Sequence, residues 1–137
     1  MKITRATEYA CRALRYLNTR IDDRCYSIQE IAEAEEVPVQ FLAKVMQSLT
    51  QAGIVRSTCG KSGGYRIRRD PSEITLADVF TAVEGPFALN PCLDEDTPCS
   101  LREKCRVHDV WKELQDAMLE VLNKYTVNDV APKQEDC

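Results

Sequence analysis

The sequence predicts a mainly α chain carrying one small β-hairpin. Apolar residues recur at helical spacing in five separate stretches, glycine and proline punctuate the boundaries, and only residues 54–69 show the short alternating runs of strands. The 137 residues, 44% hydrophobic and 29% charged, have ordinary globular composition and suffice for one domain plus an oligomerisation element. Collagen-like, mucin-like and wholly disordered chains are excluded. No apolar run approaches the roughly 20 residues that cross a bilayer. The start Met1-Lys2-Ile3-Thr4 has no signal-peptide stretch, so a cytoplasmic protein without membrane association is expected.

Ile3 to Thr19 reads as the first helix, with Ile3, Ala6, Ala10, Ala13, Leu14 and Leu17 on one face. Ser27 and Glu30 form a capping box that opens a short helix from Ile28 to about Glu35. Glu36-Val37 is a turn, and Pro38 suits the first position of a helix that runs to about Ala52. Leu42, Val45, Met46 and Leu49 are its buried face, and Gly53 closes it. Ile54–Thr58 and Tyr65–Arg69 are strands joined by the glycine-rich turn Cys59-Gly60-Lys61-Ser62-Gly63-Gly64. A short helix starts at Thr75 and stops at Gly85-Pro86. Residues 87–99 show no periodicity and form a loop. A long last helix is expected from near Ser100, with an apolar stripe of Val107, Val110, Trp111, Leu114, Met118, Val121, Leu122 and Tyr125.

The order helix, short helix, turn, helix, hairpin is that of a winged helix-turn-helix, and the long C-terminal helix that follows is expected to be a dimerisation helix. Residues 1–85 form the DNA-binding domain, 86–99 a cluster-binding loop, 100–130 the dimerisation helix and 131–137 a flexible tail. In such a module the helix from Pro38 lies in a major groove and presents Val39, Gln40, Ala43, Lys44 and Gln47. Gln pairs with adenine, and Lys reaches guanine or phosphate. Arg56, Lys61, Arg66 and Arg68 surround the hairpin, where a glycine-rich tip admits a phosphate and cations neutralise it. Charge supports this placement. Residues 1–69 hold 12 Lys and Arg against 7 acids, a net of +5, whereas residues 70–137 hold 6 against 15, a net of −9. A solvated helix face is the plainer reading of Gln40, Lys44 and Gln47 alone; the basic hairpin beside it favours double-stranded DNA.

Seven cysteines in a chain without a secretory signal are expected to be reduced, and the odd number argues against complete pairing. Cys92, Cys99, Cys105 and His108 follow the spacing Cys-x6-Cys-x5-Cys-x2-His, and His108 is the chain's one histidine. Soft thiolates with a borderline imidazole suit an iron–sulfur cluster or zinc. Zinc sites usually show tight Cys pairs, which are absent here, so the loose spacing favours a cluster. Pro91 and Pro98 stiffen the loop, while Asp94, Glu95 and Asp96 cannot pack as a core, so a ligand would help order it. Cys11 reads as core; Cys25, Cys59 and Cys137 have no assigned role.

Several motifs resemble the Rrf2 family of bacterial regulators, which includes iron–sulfur regulators of the IscR and NsrR types. They are Met1-Lys2-Ile3-Thr4 with Tyr9-Ala10, Ile28-Gln29-Glu30-Ile31-Ala32, Phe41-Leu42, and Leu49-Thr50-Gln51-Ala52-Gly53-Ile54-Val55. Gly60-Lys61-Ser62-Gly63-Gly64-Tyr65 and Ile74-Thr75-Leu76-Ala77-Asp78-Val79 complete them. The resemblance implies a homodimer whose long helices cross between subunits, and a 2Fe–2S or 4Fe–4S cluster on Cys92, Cys99 and Cys105. It leaves the fourth ligand open between His108 and an acidic residue on the first helix of the partner subunit, a position that Glu8 matches. The plainer reading of Glu8 is an i,i+4 ion pair with Arg12. One departure is that six residues separate Cys92 from Cys99, where the family pattern has five.

The reading that results is a dimeric DNA-binding transcription regulator that senses iron–sulfur status, nitric oxide or redox state through its cluster. Val110, Trp111, Leu114, Met118, Val121 and Leu122 are expected to form the dimer interface. The alternative is a small iron–sulfur or zinc protein, an electron carrier or assembly partner that binds no DNA. With one histidine and no nucleophile–base pair, the chain is not expected to be an enzyme.

Overall fold

The computed structural model describes residues 3–20 and 22–132. In chain order it contains α1 (Arg5–Asn18), α2 (Ile28–Ala34), α3 (Val39–Gln51), β1 (Val55–Thr58), β2 (Gly64–Ile67), α4 (Leu76–Glu84) and α5 (Arg106–Lys124). Single 3-10 turns lie at Pro91–Leu93 and Arg102–Lys104. The winged helix-turn-helix is α2, its turn, α3 and the antiparallel β1–β2 hairpin.

α1 starts at Arg5 because Thr4 is extended, with φ −82° and ψ 167°. Ile3 therefore precedes the helix and is 69% exposed, whereas helical spacing predicts it on the apolar face. Ala10, Ala13, Leu14 and Leu17 of that face are buried and pack with Leu42, Val45, Met46 and Leu49 of α3. The Thr4 and Thr7 hydroxyls both donate to the Glu84 carboxylate, tying the start of α1 to the end of α4.

The capping box of α2 forms as predicted: Glu30 N donates to Ser27 Oγ, and Ser27 N to the Glu30 carboxylate at 2.8 Å. In the turn that follows, Glu36 has φ 53°, a left-handed conformation. Pro38 caps α3 rather than joining its first turn, and Gly53 follows the helix at φ 72°.

In the wing, Val55 pairs with Ile67, Arg56 with Arg66, Ser57 with Tyr65 and Thr58 with Gly64. Tyr26 adds a bridge on the other side of β2, exchanging both backbone hydrogen bonds with Tyr65. That bridge explains Gly64. A Cβ there would overlap the Tyr26 carbonyl, and one on Gly63 would overlap Thr58 O. These two glycines are thus required by the hairpin's own packing; access for a phosphate is not needed to explain them.

α4 is capped by Thr75 and Asp78 in a second capping box. α5 begins at Arg106, six residues after the start that the stripe suggests. Residues 100–105 instead turn so that Arg102 points back to the preceding loop. Beyond Lys124 the chain leaves the helix and folds against α4. Leu76 N donates to Tyr125 O and Val127 N to Ile74 O, both at 2.9 Å, and Val127 is buried in the core. The expected helix to residue 130 therefore ends at Lys124. Of the expected tail, residues 133–137, with Cys137, lie outside the described residues, as do Met1 and Lys2.

Candidate functional site

The outer face of α3 is polar because its apolar residues all turn toward α1 and the core. Val39, Gln40, Ala43, Lys44 and Gln47 are all exposed there. Phe41, on the flank of the same helix, is 58% exposed. It borders a cleft of about 240 Å³ with Pro38, Tyr9, Arg5 and Lys44. Only the assembled α1–α3 pair shows this cleft.

The wing cations divide into two groups. Arg56, Lys61 and Arg68 are exposed and have no carboxylate partner among the described residues. Arg66 is engaged: it donates to Asp23 O at 3.2 Å and pairs with the Asp23 carboxylate at 3.1 Å. Its side chain braces the wing against the segment that precedes α2. Arg69 is similarly held, near Asp78 at 3.7 Å.

The cysteine loop runs from Pro91 to Cys105. Cys92 sits half-buried on the first 3-10 turn, Cys99 is exposed, and Cys105 is the half-buried N-cap of α5. Cys105 is therefore just outside the helix that spacing predicts for it, and His108 lies in the first turn, its N–H donating to Cys105 O at 3.0 Å. The imidazole Nδ1 of His108 is buried with no hydrogen-bond partner among the described residues. Leu89 N donates to Gln115 Oε1 at 2.9 Å, which fastens the chain before the loop to the middle of α5. Arg102, which spacing alone did not single out, donates to three loop carbonyls. The sequence carried no signal for it: Arg102 stands beside Lys104 and Arg106, and its acceptors are backbone carbonyls.

Among the described residues no three His, Cys, Asp or Glu side chains converge as the ligands of a single ion. The donor chemistry of the loop, three thiols and an unpaired buried imidazole nitrogen, suits a soft, extended group. Glu8 stands on α1 and pairs with Arg12 at 2.5 Å, as the plainer reading expects. Three other thiols, those of Cys11, Cys25 and Cys59, are among the described residues. Burial pushes the Cys11 thiol upward in pKa, in keeping with a core position. Cys25 accepts from the Thr58 hydroxyl at 3.2 Å, and Cys59 is exposed at the wing.

α5 buries none of its residues. Val110 is 57% exposed, Trp111 36%, Leu114 44% and Val121 55%. Met118 and Leu122 are half-buried and face Ile3, Leu76 and Phe80 across an apolar groove of about 560 Å³. No helix among the described residues is long and apolar enough to cross a membrane.

The chain matches, over residues 3–133, the family described as Rrf2, iron-dependent transcriptional regulator. It is 37% identical to Protein aau3 of Rhizobium meliloti (strain 1021) over 131 residues, 95% of this chain and 84% of that protein. It is 31% identical to the HTH-type transcriptional regulator NsrR of Shouchella clausii, covering 99% of this chain and 92% of that one. In structure it resembles CymR (YrzC), the global cysteine regulator of B. subtilis, with a TM-score of 0.77 at 27% identity, covering 98% of this chain and 99% of that chain.

Proposed function

This chain belongs to the Rrf2 family of DNA-binding transcriptional regulators, and from that premise we propose that it is a homodimeric regulator whose DNA affinity is set by an iron–sulfur cluster on its cysteine loop. It is a regulator and not an enzyme, and family membership removes the alternative of an electron carrier that binds no DNA. It acts in the cytoplasm, where bacterial DNA lies.

The observation that carries the sensing part is the mechanical link between loop and α5. Cys105 caps α5, and Gln115 of the same helix holds Leu89. Any change at Cys92, Cys99 or Cys105 is thus delivered to the helix whose apolar face is unburied. In the dimer this face meets its counterpart, so a shift in α5 changes the separation of the two α3 helices. Operator half-sites one turn of DNA apart, about 34 Å, are sensitive to that separation.

Cys92, Cys99 and Cys105 would hold the cluster through thiolates. His108, with its unpaired Nδ1, fits the fourth position; Glu8 of the partner subunit is the other candidate, and its pairing with Arg12 would have to break. A bound cluster supplies a group that responds to iron–sulfur supply, nitric oxide or oxidants. On the DNA, Gln40, Lys44 and Gln47 face base edges, with Val39 and Ala43 beside them. Arg56, Lys61 and Arg68 meet phosphates or the minor groove.

The test is anaerobic purification with iron and sulfide counts, a visible spectrum, and operator binding before and after cluster removal. The expected result is a chromophore lost in each single Cys→Ser variant of the three, with the dimer intact, and a different DNA affinity for the two forms. His108→Ala and Glu8→Ala should separate, since only the true ligand alters the spectrum. A protein that carries no iron and takes up none on reconstitution ends the cluster reading.

A further inference from the structure

The segment between Cys92 and Cys105 has little apolar anchorage, and Asp94, Glu95 and Asp96 stand exposed along it. It nevertheless follows a compact path, and Arg102 supplies the centre of that path. Its Nη2 donates to the carbonyls of Cys92 at 3.1 Å, Asp94 at 3.0 Å and Thr97 at 2.9 Å. Nη2 carries two hydrogens, so the three acceptors share them and this nitrogen is saturated. Around the clamp the backbone closes on itself. Leu93 N donates to Asn90 O, Asp94 N to Pro91 O and Thr97 N to Asp94 O. The Nε of the same guanidinium is buried and has no acceptor among the described residues. An unpaired buried donor on a permanently charged group is a costly arrangement, relieved when an acceptor arrives.

We propose that Arg102 is the positioning residue of the cysteine loop: it holds Cys92 and the turn leading to Cys99 in place before any cluster is present, and offers its Nε–H to a sulfur of the bound cluster. The first half stands on the loop geometry alone; the second rests on the cluster reading above. Holding the loop in advance removes ordering cost from cluster capture. A cationic N–H donor beside sulfur stabilises the more negative, reduced cluster and so raises its potential. Lysine would restore the charge without the planar fork.

Hydrogen exchange on the metal-free protein tests the first half. In Arg102→Ala the amides of Leu93, Asp94 and Thr97 should exchange about tenfold faster or more, while amides of α1 and α3 keep their rates. Unchanged loop exchange overturns the proposal. Should Arg102→Ala fail to fold, Arg102→Lys carries the same measurement, because it too lacks the fork. Potentiometry on anaerobically reconstituted protein tests the second half. The potential should fall in Arg102→Ala and recover partly in Arg102→Lys; one common potential refutes the donor role. If wild-type protein takes up no iron while Arg102→Ala still frees the loop, the cluster reading fails and the positioning role holds.

Discussion

Glu36 pays the clearest local conformational penalty in the chain. At φ 53° its Cβ is crowded against its own backbone, in a turn that fixes the angle between α2 and α3. Its side chain is exposed and makes no hydrogen bond or ion pair among the described residues. Glu36→Gly should therefore stabilise the fold by about 1 kcal/mol, read as a higher urea midpoint at unchanged slope. A lower midpoint would contradict the strain argument. The wing cations give a second residue-level expectation. Lys61→Ala and Arg68→Ala should each weaken DNA binding across sequences and reduce the salt slope by about one unit. Arg66→Ala should leave the salt slope closer to wild type, because Arg66 is already paired with Asp23. Equal slopes for all four proteins would take the wing out of the interface.

At the scale of elements, turns and caps carry much of the polar order. Glu30 is held below the usual carboxylate range, chiefly by the Ser27 backbone N–H and then by Arg24. Asp70 is lowered by the Ser72 hydroxyl and N–H, and Asp129 by the Thr126 N–H and hydroxyl. Carboxylates depressed in the folded state stabilise it fully above their unfolded pKa of about 4, and that contribution is lost as pH falls through the folded values. Acid titration of the unfolding midpoint should show this decline, and Glu30→Gln with Asp129→Asn should flatten it; an unchanged profile would exclude these caps as its source. The segment after α5 makes a separate contribution through Val127, which is 1% exposed. Val127→Ala should cost about 2 kcal/mol by calorimetry or denaturant titration. A loss within experimental error would mean that the segment is not anchored.

The whole molecule joins a basic half with the winged helix-turn-helix to an acidic half that carries the cysteine loop and an unburied helix. The groove between α1, α4 and α5 is lined mainly by apolar side chains, among them Leu76, Phe80, Met118 and Leu122. Val110, Trp111, Leu114 and Val121 are exposed on the same helix, an apolar face with no partner among the described residues. Sedimentation should show a dimer at micromolar concentration. Trp111→Ala should weaken it by about 2 kcal/mol or more if the indole is a central anchor. A stable wild-type monomer at that concentration would sink the interface and, with it, the proposed route from loop to α3.

The sequence alone was enough for the parts of this protein whose physics is local. Ser27-x-x-Glu30 announces a capping box, Gly53 a helix end, and Leu42, Val45, Met46 and Leu49 a buried face, because each signal lies within one or two turns of chain. Thr75-x-x-Asp78 carried the same capping signal and was equally legible. The order of elements was enough for a winged helix-turn-helix, and contiguous motifs such as Leu49–Val55 and Gly60–Tyr65 were enough to point to the family. Tertiary structure decided what depends on distant partners. Only the bridge of Tyr26 with Tyr65 shows why Gly64 has no side chain, and only Asp23 shows that Arg66 is occupied. The stripe from Val107 to Tyr125 has one period throughout, so it could not reveal that α5 waits until Arg106. In the residues before it, Arg102 reaches back to carbonyls up to ten residues away, a contact that periodicity does not carry. Val127 and Val130 are both apolar in the stretch after α5, and only Val127 is buried, where residues 125–127 run antiparallel to residues 74–76. Periodicity reports which face of an element is apolar, whereas hydrogen bonds and packing between distant segments decide which neighbours it has.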